Sequence, residues 1–374
     1  MSGTASDRSD FNIAAHGLRG VASAAVLLAH LAGGAAEHVY ADRREFVEAI
    51  DPWWNFGTFF VFMFFTISGF VILPSAMRYS AREFAARRFM RIYPLFLFFS
   101  LLFIALNFAT NRQPELNDPV AIVSALLFLN LFTGTEQLTP NAWSLTYEVV
   151  FYAMTCAFVV AAFRLRRPGL VDALIALSVI LVILFPKALF FLGGVVIRLL
   201  HDRGVRPAPE LQRRLEIASF LIFVAFASSG KRDFHPDEFS DLIVYGTMAS
   251  CCLYFYFATA PTSYTARLLD NRIASYLGVV SYSLYLLHPY VYLPARLAFE
   301  RFGLFTDDIV ASMILFYLVV VPATLAATHV VHVALERWPY RLCFRKDVYA
   351  PRAGAERAGA AAAGNSVPAS SARI

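Results

Sequence analysis

Charged and titratable side chains interrupt a first apolar stretch that is otherwise long enough to cross a membrane. Arg19 and His30 lie eleven residues apart in it, which is close to three helical turns. Both side chains would therefore share one helix face, about 16 Å apart along the axis. Charged groups are costly inside a bilayer, so they are functional candidates: an imidazole as a general base or acyl carrier, and a guanidinium as an anion ligand. The alternative is a snorkelling arginine and a core histidine bonded to a backbone carbonyl.

An arginine cluster precedes a second candidate helix. Residues 82–94 read Arg-Glu-Phe-Ala-Ala-Arg-Arg-Phe-Met-Arg-Ile-Tyr-Pro. Arg88 and Arg91 are three residues apart and would be neighbours on a helix. Because guanidinium forks match phosphate geometry, the cluster predicts a phosphate clamp. The alternative is a group of positive charges that only fixes the orientation of a membrane helix.

Two further polar residues lie near the opposite membrane face. Glu148 lies one turn inside its helix, at a depth similar to that of His30, and His288 lies towards the same end of a later helix. A carboxylate beside an imidazole orients it and raises its basicity, so we expect Glu148 to pair with His30. The alternatives are a carboxylate that favours a helix start and a core histidine bonded to a neighbouring helix.

One histidine and glutamate pattern near the end of the last apolar stretch is compatible with a metal site. His329, His332 and Glu336 follow one another at helical spacing. The match to metal-ligand spacing is weak, and we favour a structural role for these residues. No metal centre is therefore expected.

Composition places these residues in an all-α, polytopic membrane protein. The 374 residues are 58% hydrophobic and 16% charged, with a mean hydropathy of +0.57. Soluble domains have about 45–50% apolar and about 25% charged residues. These values exclude a soluble enzyme, a disordered chain and a coiled coil. The net charge of +5 forms no basic stripe on a polar domain, so we expect no nucleic-acid partner.

About ten transmembrane helices are expected. The candidate spans are 13–34, 54–74, 92–110, 145–163, 171–185, 188–200, 215–229, 242–260, 273–295 and 309–335. Residues 120–133 suit a re-entrant segment better than a span, because crossing takes about 20 residues. With both termini cytoplasmic, this arrangement places most of the 32 Lys and Arg residues inside. A full crossing by 120–133 would place most of them outside.

The chain divides into three parts. Residues 1–12 form a polar N-terminal segment without the pattern of a cleavable signal peptide. Residues 13–345 form the membrane domain. Residues 346–374 are rich in Ala, Gly and Ser, lack apolar periodicity and predict a disordered cytoplasmic tail.

Five motifs in order resemble those of the acyltransferase-3 family of integral membrane acyltransferases, over about residues 13–345. They are Gly17-Leu18-Arg19-Gly20 with His30, Phe64-Phe65-Thr66-Ile67-Ser68-Gly69-Phe70, Arg88-Phe89-Met90-Arg91-Ile92-Tyr93-Pro94, the segment Trp143 to Tyr152, and Ser281 to His288. The chain is similar to the stand-alone membrane form of this family.

The resemblance implies an O-acyltransferase in a bacterial inner membrane. It would move an acetyl or other acyl group from cytoplasmic acyl-CoA to a hydroxyl of a cell-surface or exported glycan. Its partners would be acyl-CoA, the glycan and membrane lipids, with no permanently bound cofactor. The main alternative is a proton-coupled transporter or flippase of a glycan or lipid.

The implied roles fall into three groups of residues. Catalysis is assigned to His30 and Glu148. Donor binding is assigned to Arg19, Arg88 and Arg91. Acceptor binding is assigned to His288, Tyr285 and Trp143.

Overall fold

The computed structural model describes residues 11–139, 141–230 and 236–344. Within them the chain forms helices and no strand. The helices are α1 (Ile13–His38), α2 (Arg44–Arg78), α3 (Ala81–Thr110), α4 (Pro119–Leu126), α5 (Asn130–Thr133), α6 (Trp143–Val159), α7 (Pro168–Leu184), α8 (Leu189–Asp202), α9 (Pro209–Ala227), α10 (Leu242–Ala258), α11 (Tyr264–Leu269), α12 (Arg272–Arg301), α13 (Ile309–Val331) and α14 (Trp338–Phe344). The predicted all-α fold is confirmed.

Five helical segments in the described part of the chain are long and apolar enough to cross a membrane. They are α1, α2, α3, Trp143–Leu165 and Ile309–Phe344. The helices α7 and α10 are apolar but shorter. Each predicted span falls on a helix, and the membrane character is confirmed. The number of ten crossings stays a prediction.

The segment 120–133 is broken into two short helices. Asp118 caps α4 by accepting hydrogen bonds from the backbone N–H groups of Val120 and Ala121. Phe128 interrupts the path to α5 with a left-handed backbone at φ +56°. The eight residues of α4 rise about 12 Å, far less than the roughly 30 Å of a hydrocarbon core. Neither piece can cross alone, in agreement with the re-entrant prediction.

The centre of the bundle is formed by α1, which packs on α2 and α12, and by α2, which packs on α8. Close approach of α1 and α12 depends on Gly20 and Gly278. A Cβ atom at residue 20 would lie 2.7 Å from the Gly278 nitrogen. By contrast, α7 has no buried residue and lies on the outside of the bundle.

Two of the predicted segments fall wholly or mostly outside the described residues. These are the tail 346–374 and most of the N-terminal segment 1–12. The described chain begins at Phe11, and Asn12 caps α1 by accepting a hydrogen bond from the Ala15 N–H at 2.9 Å.

Candidate functional site

An arginine-lined cavity of about 190 Å³ lies between the ends of α2, α3 and α8. Its lining includes Arg78, Arg87, Arg88, Arg91 and Arg198, and none of the lining residues that the structure describes is acidic. Five guanidinium groups around one small space favour the binding of an anion, although two of them, those of Arg87 and Arg198, are paired with carboxylates. Arg88 and Arg91, which the sequence predicts as a phosphate clamp, both line it.

Local contacts hold two of these arginines in place. Arg87 donates to Glu83 at 2.8 Å and to the Tyr340 hydroxyl at 3.2 Å, and its guanidinium lies 4.4 Å from the centre of the Tyr79 ring. Arg198 donates to Asp202 one turn later at 3.0 Å. These contacts keep the two side chains at the cavity wall.

Arg88 connects the cavity to a buried hydrogen-bond network. Its guanidinium donates to the Ser75 hydroxyl at 2.8 Å and lies 5.4 Å from the centre of the Tyr152 ring. The Tyr152 hydroxyl donates to the carboxylate of Glu148, which also accepts a hydrogen bond from Ser68 at 2.9 Å. Glu148 therefore supports the tyrosine against which Arg88 packs.

The expected pairing of Glu148 with His30 is wrong. The hydrogen bonds of Glu148 go to Ser68 and Tyr152, and His30 is oriented instead by the Val26 carbonyl. Depth along two helices places Glu148 and His30 at similar levels. Depth does not determine the rotation of a helix about its axis. Here the rotation of α6 directs the Glu148 carboxylate towards Tyr152 and Arg88.

Two imidazoles lie together between α1 and α12. The ring centres of His30 and His288 are 4.9 Å apart. His30 Nδ1 bonds the Val26 carbonyl at 2.8 Å, and His288 Nδ1 bonds the Leu284 carbonyl at 3.2 Å. Because a carbonyl oxygen only accepts, each Nδ1 carries the proton in these contacts and each Nε2 keeps a lone pair. His30 is thus oriented as a base or nucleophile through Nε2.

Tyr285 fastens the start of α6 to α12. Pro289 has no N–H, so the Tyr285 carbonyl loses its helical partner and accepts from the Asn141 side chain instead. The Tyr285 hydroxyl donates to the Asn141 carbonyl at 2.8 Å and contacts the Ser144 hydroxyl at 3.0 Å. Tyr285, assigned above to acceptor binding, is 5% exposed and is occupied by these bonds.

Trp143 and Arg19, two other residues assigned above, lie apart from the main groups. The Trp143 ring contacts Phe65 and Tyr147, each at 6.0 Å, and the Lys187 ammonium at 4.8 Å, rather than either imidazole. Arg19 does not line the arginine cavity. It lies on α1, three residues after His16.

The polar pattern near the end of the last apolar stretch forms a buried pair. His332 Nδ1 bonds the Glu336 carboxylate at 2.9 Å, and the Ser283 hydroxyl donates to the same oxygen at 2.8 Å. His329 Nδ1 instead bonds the Tyr276 hydroxyl at 3.0 Å. The three residues do not converge, and the described part of the chain holds no group of three or more His, Cys, Asp or Glu side chains that could bind a metal ion.

Comparison with known proteins decides the family. A family model described as an acyltransferase domain matches residues 12–333, nearly the whole chain. The chain belongs to the acyltransferase-3 family. Comparisons with curated proteins and with solved structures found no match. As a member of this family the protein is a membrane acyltransferase, which weighs against the transporter alternative.

Sequence reasoning missed several contact residues of this acyltransferase. Arg198 reaches the cavity from α8, and Ser75 and Tyr152 contact Arg88 from α2 and α6. Two sequence signals could have identified them. Arg198 is a charged residue inside the apolar stretch 188–200, and Tyr152 lies four residues, about one helical turn, after Glu148. Trp54, whose ring centre lies 4.9 Å from that of His30, carried no comparable signal.

Proposed function

We propose that this acyltransferase moves an acetyl group from cytoplasmic acetyl-CoA to a hydroxyl of an exported or cell-surface glycan. The observation that carries the proposal is the cavity lined by five arginines. The proposal places the protein in a bacterial inner membrane with both termini in the cytoplasm. The distribution of Lys and Arg along the sequence supports that orientation.

The arginine cavity suits the phosphate groups of coenzyme A. At about 190 Å³ it is smaller than the roughly 300–1,000 Å³ of typical ligand pockets, so it fits phosphates and not the whole donor. Arg88 and Arg91 bind them, and Arg78 and Arg198 add charge from two other helices. Glu148 and Tyr152 are positioning residues that act through Arg88. Arg19 lies eleven residues before His30 on the same face of α1, and there it contacts the pantetheine arm.

Acetyl transfer takes place at His30. Nε2 accepts the proton of the acceptor hydroxyl as the hydroxyl oxygen forms a bond to the thioester carbonyl carbon. The carbon–sulfur bond then breaks, and the leaving thiolate takes the proton from the imidazolium. Thioester to oxygen ester is an easy exchange, so the reaction needs no further cofactor. The Val26 carbonyl holds the ring so that Nε2 keeps its lone pair.

The test uses the purified full-length protein in lipid vesicles with radiolabelled acetyl-CoA. We expect release of coenzyme A by wild-type protein and release at least about a hundredfold slower by His30→Ala. His38→Ala is the matched control, because His38 lies on the same helix and is exposed. Turnover by His30→Ala at the wild-type rate would contradict the role of His30. Absence of both turnover and coenzyme A binding in wild-type protein would contradict the donor and favour a transporter.

A further inference from the structure

An aromatic ring lies beside His30. His30 is half-buried, whereas His288 is 1% exposed and packs against it. The Trp54 ring lies 4.9 Å from His30, with the two planes inclined by 59°. The Trp54 ring and the His288 ring therefore both lie against the His30 imidazole.

The position of Trp54 depends on a glycine one turn beyond His30. A Cβ atom at residue 33 would lie 1.8 Å from Cε3 of Trp54. The indole can therefore cover this turn of α1 only because residue 33 has no side chain. The neighbouring Trp53, by contrast, is 64% exposed. The two helices thus hold one tryptophan beside the base and leave the other outside.

His288 presents an unused acceptor at the same place. Its Nδ1 is tied to the Leu284 carbonyl, and its buried Nε2 has no hydrogen-bond partner among the described residues. An unmet buried acceptor is costly, so a ligand that donates to it gains binding energy. Together with His30, the pair offers two Nε2 acceptors on rings whose centres are 4.9 Å apart.

We propose that these three side chains form an acceptor subsite for a pyranose ring that carries two adjacent hydroxyls. The C–H face of the sugar stacks on Trp54, the reacting hydroxyl donates to Nε2 of His30, and its neighbour donates to Nε2 of His288. A pyranose ring has an apolar face and a rim of hydroxyls, which an aromatic face beside two acceptors matches. A simple aliphatic alcohol has no ring to stack on Trp54 and no second hydroxyl to donate to His288. This inference rests on the proposed function and names the groups that recognise its acceptor.

The chemical step is the one given above, with the sugar oxygen as nucleophile. The hydroxyl proton passes to His30, the oxygen–carbonyl bond forms, the carbon–sulfur bond breaks, and the thiolate receives the proton. His288 holds the second hydroxyl and is a binding residue.

The first experiment compares acceptors in vesicles that contain the full-length protein and acetyl-CoA. The probes are the octyl pyranosides of glucose, galactose and mannose, with 1-octanol as the acceptor without a ring. We expect at least one pyranoside to be acetylated, with a KM at least about tenfold lower than that of 1-octanol. Trp54→Leu should raise the pyranoside KM about tenfold or more, whereas Trp54→Phe keeps an aromatic face and should stay close to wild type. Trp53→Leu is the matched control and should change neither acceptor nor donor KM.

The second experiment tests His288 with monodeoxy analogues of the best pyranoside, each lacking one hydroxyl next to the acetylated one. Wild-type protein should bind one of them about tenfold more weakly than the parent sugar. The His288→Ala variant should no longer distinguish the two. This measurement keeps the proposal testable if Trp54→Leu fails to fold.

Three results would overturn the subsite. They are hydrolysis of acetyl-CoA without acetylation of any pyranoside, an unchanged pyranoside KM in folded Trp54→Leu, and full discrimination of the deoxy analogue by His288→Ala. The first of these leaves the proposed acyltransferase intact, because the donor is still consumed. Failure of the proposed function is different: wild-type protein then neither hydrolyses nor transfers acetyl-CoA.

Discussion

The arginine cavity and the imidazole pair differ in the number of side chains that form them and in how those side chains are held. The cavity draws five cationic side chains from three helices. Ion pairs such as Arg87–Glu83 and Arg198–Asp202 hold them at its wall. The imidazole pair uses two rings from two helices, each oriented by a carbonyl of its own helix.

The difference shows how each region tolerates change. Charge acts over several ångströms and is shared among many groups, so loss of one arginine leaves the others in place. Orientation of one nitrogen is not shared among several groups in this way, because a single carbonyl of its own helix orients the His30 ring. The comparison predicts graded effects at the cavity and an all-or-none effect at the imidazole.

The largest expected effect separates chemistry from donor binding. His30→Ala should lower kcat by about 10²–10⁴-fold, the usual contribution of a general base. Because the arginine cavity is built from other helices, the Kd for coenzyme A, measured by titration calorimetry, should stay within about twofold of wild type. A large rise in that Kd would mean that the two regions are not separate.

Arg88→Ala is expected to act on the donor side. A hydrogen bond to a charged group contributes about 1.5–3 kcal/mol, so the Kd for coenzyme A should rise roughly 10–100-fold. Arg82→Ala on the same helix is the control, because Arg82 is exposed and does not line the cavity. Equal Kd values for the two variants would argue against phosphate binding by Arg88.

Glu148→Gln decides to which region the carboxylate belongs. The amide removes the charged acceptor of the Tyr152 and Ser68 hydrogen bonds. The Tyr152 ring, against which Arg88 packs, is then held less firmly. We expect the Kd for coenzyme A to rise about tenfold. In an Arg88→Ala background the same change should have much less effect, since neighbours in one network are not additive. If Glu148→Gln raises the Kd for coenzyme A as much in the Arg88→Ala background, or if it raises only the KM of the acceptor, Glu148 does not act through Arg88. Its role would then lie with His30.

Ser75→Ala should give the smallest change. It removes one hydrogen bond to Arg88 but leaves the Tyr152 contact, so the Kd for coenzyme A should rise about two- to fivefold. Ser178→Ala is the matched control, because Ser178 bonds a carbonyl of its own helix, α7, outside the bundle. No difference between these variants would mean that Ser75 does not position Arg88.

Helix positions followed well from the sequence, because long apolar stretches have one stable form in a bilayer. Every predicted span lies on a helix, and the short stretch 120–133 is broken at Phe128. Spacing also placed Arg88 and Arg91 together, since residues three apart are neighbours on any helix. These are local relations that need no knowledge of packing.

Contacts between helices were beyond sequence reasoning. Similar depth suggested that Glu148 meets His30, but the rotation of α6 turns the carboxylate to Ser68 and Tyr152. Arg198 and Trp54 reach their sites through the packing of α8 on α2 and of α2 on α1. Such rotations depend on where small residues such as Gly20 and Gly33 let backbones and rings approach.

The 35-residue helix α2 carries a residue of each site on one rod. Trp54 lies ten residues after the start of α2 and Ser75 three residues before its end. The two are 21 residues apart, a rise of about 31 Å. That interval is close to the hydrocarbon thickness of a bilayer, so one helix fixes the depth of a residue of each site. If the proposed function holds, truncated thioesters such as S-acetylcysteamine, which lack the phosphates that the arginines would bind, should be poor donors compared with acetyl-CoA.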